Sequence, residues 1–518
     1  MMTDFKNEPL FDFSNVEIRK AFEAELERVK RDFGKEYPLI IGGKKIFPDK
    51  GREVFHSTNP SKRGEIIATF PKASKADCDE AIRVAEGVFK EYSQLSAESR
   101  ACILFRAANI MRRRKAELSA TMVYEVGKNW IEAVADTCEA IDFLEFYGRE
   151  ILRYSERQPL TPYPGEFNEL IYIPLGCGVV IPPWNFPLAI LSGMTSAALA
   201  CGNTVVLKPA SDSPLIGYKF CEIMEEAGLP AGALNYLPGP GGEIGDYLVS
   251  HPRIRFISFT GSMAVGLRIV ELAGKTQPEQ IWIKRVIAEM GGKDCIIVEE
   301  DCDWESALSG VLTSAYGFQG QKCSACSRLI LNERIYDKFI ADLKERVKGI
   351  KIGDVRYFEN WLGPVINERA FQSILNYIEV GKNEGRLVWG GEPADGTGYF
   401  IKPTIFADVN PNAKIAQEEI FGPVLAVIKA KDFEEALTIA NNTKYGLTGS
   451  LYTKDRNKIE KAKRFFHVGN LYFNRKCTGA LVGVHPFGGF NMSGTDSKAG
   501  GRDYLLLYLQ AKSISEAL

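Results

Sequence analysis

Apolar positions along this chain follow a few repeating patterns. From Val16 to Phe33 apolar and charged residues mix at helical spacing, so residues 1–35 are expected to form a helical arm. Tyr37-Pro-Leu-Ile-Ile-Gly-Gly-Lys-Lys reads as strand and turn. Ser74 then caps a long helical stretch in which Cys78, Ala81, Ile82, Ala85, Val88 and Phe89 recur at threes and fours, and helical periodicity continues to about residue 152. Pro159 to Gly165 interrupt it, and the β-rich Glu169-Leu-Ile-Tyr-Ile follows.

Beyond that point strand, turn and helix repeat. Gly178-Val-Val-Ile precedes the small-residue helix 188–201. Thr204-Val-Val-Leu-Lys precedes a helix capped by Ser213, and Ala233-Leu-Asn-Tyr-Leu leads through Pro238-Gly-Pro-Gly-Gly into another. Arg255-Phe-Ile-Ser-Phe-Thr-Gly-Ser opens helix 265–273, and the cycle restarts after Glu289-Met-Gly-Gly-Lys and runs to about Phe473. Uniformly apolar strands alternating with helices predict parallel, doubly wound sheets in two successive α/β domains.

A chain of 518 residues exceeds one core, and about two to four domains are expected. A net charge of −2 with no basic block argues against nucleic-acid or anionic-membrane partners. Eleven cysteines at irregular spacing do not form a disulfide framework, and the N-terminus has no apolar signal region, so the cytoplasm is the expected compartment. Leu170 to Leu207 carries no charge, but Pro174, Pro182, Pro183 and Pro187 leave no piece of the ~20 residues a membrane span needs.

Chemistry concentrates in a few stretches. In Phe318-Gln-Gly-Gln-Lys-Cys-Ser-Ala-Cys-Ser, Cys323 has small and polar neighbours and follows Lys322, whose charge would favour a thiolate. The stretch alone leaves a nucleophile and a buried structural thiol both open. Gly239-Pro-Gly-Gly-Glu-Ile-Gly245 and Thr260-Gly-Ser-Met-Ala-Val-Gly266 are tight turns or phosphate cradles at helix N-termini. Lys208 stands at a strand end, as a ligand-facing or a solvated charge. Asn185, in a Pro-rich turn, is an Asx turn residue or an oxyanion donor, and Glu289 is an exposed strand-end acid or a desolvated base. The scattered histidines, with only Cys323 and Cys326 at ligand-like spacing, predict no metal site.

Taken together, Pro183-Trp-Asn-Phe-Pro, Lys208-Pro-Ala-Ser, Phe259-Thr-Gly-Ser, Glu289-Met-Gly-Gly-Lys, Gly320-Gln-Lys-Cys, Glu419-Ile-Phe-Gly-Pro and Pro486-Phe-Gly-Gly, in this order, resemble the NAD(P)-dependent aldehyde dehydrogenase superfamily. Within it the chain is similar, from Tyr37 to the C-terminus, to the branch that oxidises L-glutamate γ-semialdehyde to L-glutamate. The resemblance implies an α/β, aldehyde dehydrogenase-like fold: two doubly wound parallel-sheet domains plus a β oligomerisation flap. The arm would span 1–35, an NAD(P)-binding domain 36–158 and 182–288, a catalytic domain 289–486, and the oligomerisation element 159–181 and 487–518, giving a homo-oligomer.

It also implies roles. Cys323 would be the nucleophile, Asn185 with the Cys323 backbone the oxyanion donors, and Glu289 the base that activates water. Lys208 and Ser211 would hold the adenosine ribose, Gly261 and Ser262 the pyrophosphate, and Glu419 and Phe421 the nicotinamide ribose. Ile181, Pro183, Trp184, Gly241, Gly245 and Met290 complete the cofactor site. NAD is expected, with NADP tolerated because Ser211 rather than an acid stands at the ribose. Lys322, Ser324, Gly479 and Ala480 would anchor the small-molecule substrate's charged end, with Phe186 and Phe487 flanking its middle. Cys326 departs from the family, and helical spacing would bring its sulfur beside Cys323, as a small buried group or a disulfide partner. Rival readings are a dehydrogenase for another semialdehyde such as succinic semialdehyde, a CoA-acylating enzyme, which Glu289 argues against, and a non-catalytic protein of the same fold.

Overall fold

Two seven-stranded sheets organise the chain in the computed structural model, which describes residues 4–49 and 51–518. The first three residues of the expected arm lie outside the described residues, and its helix spans Val16–Lys30. Helices Lys75–Tyr92, Ala97–Arg113, Lys115–Glu125 and Trp130–Ser155 follow the predicted periodicity. Ser74 opens the first of them through a reciprocal capping box with Asp77.

In the first sheet, strands Arg285–Glu289, Phe256–Thr260, Cys177–Ile181, Thr204–Leu207 and Leu234–Tyr236 run parallel in that order. The hairpin Leu39–Ile41 and Lys44–Ile46 closes one edge antiparallel. Alternate residues serve two cores: Val205 and Leu207 face one, and Val206 the other. This two-sided burial is why these strands read as unbroken apolar runs. The second sheet repeats the design with Thr404–Ala407, Val424–Ala430, Arg328–Asn332, Cys295–Val298, Thr448–Tyr452 and Asn470–Phe473 parallel and Arg386–Trp389 antiparallel at the edge.

Strand Glu166–Pro174 pairs antiparallel with Leu509–Ala517 in a two-stranded ribbon. Two boundaries differ from the sequence reading. Cys177–Ile181 does not join the ribbon; its buried residues need cover on both faces and find it in the first sheet. Residues 487–508 likewise fold back over the strand carrying Glu289, with Met290 N–H donating to Ser493 O at 2.8 Å. Ser213 precedes helix Pro214–Glu226 but makes no side-chain cap. The buried carboxylate of Glu125 takes that place, accepting from Leu215 N at 2.7 Å and Ile216 N at 2.9 Å. No helix among the described residues is long and apolar enough to cross a membrane. The uncharged run before Leu207 resolves instead into ribbon, sheet strand and the buried helix Ala189–Ala200.

Candidate active site

The parallel strands of the first sheet place Ile181, Lys208, Gly261 and Glu289 at or just past their C-terminal ends, where open α/β sheets bind ligands. Lys208 is buried rather than solvated, and its ammonium donates to Pro209 O at 2.9 Å and Gly239 O at 3.1 Å. Burial brings its pKa down to about 8. Ser211 Oγ reaches the same Gly239 carbonyl at 3.2 Å, so these two residues meet the turn that opens helix Gly241–Ser250. A Cβ on Gly245 would meet nothing within 4 Å, which leaves the helix open to a large group. Ser262 caps helix Met263–Gly274, whose first amides face the same edge. Met290 packs under Gly266, where any Cβ would collide with its sulfur. These features fit a dinucleotide laid across the sheet edge. Pro183 stands in the turn before Trp184, whose indole packs edge-on against Phe421 at 5.6 Å. Beside it Glu419 Oε1 accepts from Gly292 N at 3.0 Å, and burial raises that carboxyl to about 7.

One cleft gathers Cys323, Glu289, Phe186, Ser324, Gly479, Ala480 and Phe487, seven of the residues singled out in the sequence. Cys323 is half-buried on its wall. Glu289 is only 8% exposed, and neither carboxylate oxygen has a hydrogen-bond partner. Burial drives its pKa well above the ordinary value, with Lys498 pulling the other way. Asn185 is buried beside the nucleophile segment, its Nδ2 donating to Gln321 O at 3.1 Å. A primary amide has two donors, so this bond fixes its orientation and leaves the second hydrogen for a ligand.

Two sequence expectations fail. Lys322 does not activate the thiol or project into the cleft. Its ammonium is clamped by both oxygens of Glu132, at 2.7 and 2.8 Å. The Cys323 thiol is therefore pushed well above its ordinary pKa, first by burial and then by the carboxylates of Glu289, Asp294 and Glu419. The segment is also not α-helical. Phe318 and Gln319 adopt φ of +49° and +57°, a left-handed turn that breaks the helix before Cys323. The Cys326 side chain consequently points into the core, donating to Arg328 O at 3.3 Å, and all eleven cysteines are free.

Among the cleft residues that the sequence reading missed is an acid. Glu139 lines the cleft, and burial, reinforced by Asp136, lifts its carboxyl to about 8. It sits on helix Trp130–Ser155, where Glu132, Asp136 and Glu139 follow one another at helical spacing amid apolar neighbours. That run of acids, in the largely apolar first half of the helix, was the available signal.

The model of the aldehyde dehydrogenase family matches residues 47–514. The chain belongs to the aldehyde dehydrogenase family. Among its relatives within that family is the 1-pyrroline-5-carboxylate dehydrogenase of Geobacillus sp. (strain WCH70), 58% identical over 516 residues and covering all of both chains. The Bacillus cytotoxicus protein of that name is 54% identical over 518 residues, again covering both chains fully. Among solved structures of the family, the 1-pyrroline-5-carboxylate dehydrogenase from Thermus with bound NAD superposes with a TM-score of 0.98 at 53% identity over 100% of each chain. A betaine aldehyde dehydrogenase from Staphylococcus aureus in complex with NAD+ gives 0.89 at 29% identity, covering 96% of this chain and 97% of that one.

Proposed function

We propose that the chain oxidises L-glutamate γ-semialdehyde, formed from 1-pyrroline-5-carboxylate, to L-glutamate with NAD, the second step of proline degradation. One observation carries this reading: a single cleft holds a thiol, a partnerless carboxylate and a second carboxylate, with Ser324 and the Gly479–Ala480 backbone as donors. The full-length relatives described above support it.

Cys323 Sγ attacks the aldehyde carbon as its proton leaves to solvent, so the Glu289 carboxylate stays free for the later step. Asn185 Nδ2 and the Cys323 N–H receive the oxyanion; one such donor contributes about 3 kcal/mol to the barrier. Bound NAD supplies the hydride acceptor, and its cationic ring brings the positive charge that Lys322, tied to Glu132, does not. Glu289 then takes a proton from water, the water oxygen adds to the thioester, and the Cys323 sulfur leaves with the acid released. An apolar wall of Phe143, Phe186 and Phe487 makes each of these charges count for more than it would in bulk solvent.

The substrate's α-carboxylate falls to Ser324 and the amides of Gly479 and Ala480. Its α-ammonium falls to Glu139, the cleft's acid with no part in the chemistry. Succinic semialdehyde has no ammonium and would leave that acid unpaired. Glu139→Gln is therefore expected to raise KM for glutamate semialdehyde about 10- to 100-fold, the value of one charge-assisted hydrogen bond, with kcat little changed. Steady-state kinetics with both semialdehydes decide the matter. Equal efficiency of the wild type toward the two, or an unchanged KM in the variant, contradicts the reading.

A homo-oligomer in the reducing cytoplasm completes the proposal. Free cysteines suit that compartment. A two-stranded ribbon is marginal alone in water, and this one leaves Phe167 exposed, with Tyr163 and Leu518 beyond its ends. Ile281 and Ile283 stand 85% and 90% exposed elsewhere. Sedimentation equilibrium is expected to give a mass above one chain; a monomer at micromolar concentration would contradict it.

A further inference from the structure

The geometry points to the buried pair Lys128–Asp136 as a positioning device that holds the oxyanion turn and the nucleophile segment against each other. Neither residue of the pair lines the cleft itself. Nζ and Oδ2 lie 2.6 Å apart, and both side chains are fully buried. Such a pair is weak evidence for stability, because removing both charges together is often neutral. What it touches is more telling.

The Lys128 ammonium sits 4.0 Å from the Phe186 ring centroid and 4.8 Å from that of Phe318. Phe186 follows Asn185 directly, and Phe318 begins the left-handed turn that presents Cys323. A desolvated cation between two aromatic rings attracts both. It therefore draws together two segments that are remote in sequence. Asp136 works from the other side. Its Oδ1 accepts from Ala189 N at 2.7 Å, capping helix Ala189–Ala200, whose N-terminus has no side-chain cap of its own. The end of the Asn185 turn is thus fixed to the same pair.

The neighbouring backbone adds a second grip. Gln319 Nε2 donates to Gly127 O at 3.1 Å and to Pro364 O at 2.7 Å, so the residue before Lys128 holds the strained turn directly. Two consecutive non-glycine residues at positive φ persist only where their surroundings over-determine them. The Asn185–Gln321 hydrogen bond is then the narrow contact whose register this assembly sets. An error of ~1 Å there displaces the oxyanion donor from the carbon that Cys323 attacks.

The inference rests on aldehyde oxidation by Cys323, not on which aldehyde is used, so propanal serves as a probe beside glutamate semialdehyde. The informative variant is Lys128→Met with Asp136→Asn, which removes both charges while keeping volume and an acceptor for Ala189 N. The rate of the pre-steady-state NADH burst is expected to fall about 10- to 100-fold with both aldehydes, with KM for NAD within about two-fold and the melting temperature nearly unchanged. Phe318→Leu, which removes one ring and leaves the pair paired, is expected to lower the same burst rate by a smaller factor. That variant decides alone if the double variant does not fold. A burst rate equal to wild type in a folded variant overturns the proposal. So does a loss with glutamate semialdehyde but not propanal, which would assign Lys128 to substrate charge.

Discussion

Cys323→Ala is expected to lower kcat/KM by about 10⁴- to 10⁶-fold while leaving NAD affinity and thermal stability close to wild type. The size follows from the chemistry. Without the sulfur there is no covalent adduct from which hydride can leave, and the oxyanion donors have nothing to act upon. Stability should survive because the thiol lies half-buried on the cleft wall, not in a core cluster. Cys326→Ala is the contrasting control: a thiol 1% exposed in the core beneath the segment, whose loss costs packing but not chemistry. Residual dehydrogenase activity above about 1% in Cys323→Ala would remove the covalent mechanism. Titration supplies an independent check. With its pKa raised by burial and three carboxylates, Cys323 in the NAD-free enzyme should be alkylated by iodoacetamide slowly at neutral pH and faster as pH rises. A fast, pH-independent reaction at neutral pH would restore Lys322 as the activating charge.

That reversal marks where the sequence stops being legible. The parallel sheets were readable because their strands are buried on both faces and hence continuously apolar. The cleft's thiol and carboxylate, and the Asn185 amide beside them, were legible as candidates because each stands in a short motif at a strand end or turn. Lys322 was not, because adjacency in sequence to Cys323 says nothing about where a long side chain goes. Its direction is set by Glu132, 190 residues away in the chain. Of the two readings of Cys326 the small buried group holds; the helical spacing that would have set it beside Cys323 fails at Phe318 and Gln319, whose left-handed backbone is imposed by tertiary contacts. Glu139 and Lys128 were hidden among ordinary helix and loop residues. Only packing of helix Trp130–Ser155 against helix Ala189–Ala200 brings their surroundings together.

Glu289→Gln separates the two halves of the reaction. Acylation needs only a proton acceptor for one thiol, whereas release of the product needs water activated at the thioester on every turnover. A burst of NADH close to one equivalent per active site is therefore expected, followed by a steady state slower by about 10²- to 10⁴-fold. Glutamine fits because no partner is lost: both carboxylate oxygens are unbonded, and the backbone bond from Gly261 N to Glu289 O at 3.1 Å does not depend on the side chain. Loss of the burst together with the steady state would instead make Glu289 essential for acylation. The pH dependence has a definite sign. The base works deprotonated and its pKa is raised, so the wild-type steady-state rate should climb with pH through that displaced titration, and the variant should lose this dependence. Stability runs the other way. The unfolded chain releases this proton near 4.5 and the folded one only at higher pH, so the wild type loses stability as pH rises across that interval while the glutamine variant does not. The melting temperature of Glu289→Gln relative to wild type should therefore increase with pH above about 4.5, and a flat difference would mean that the carboxylate is hydrated in the folded protein.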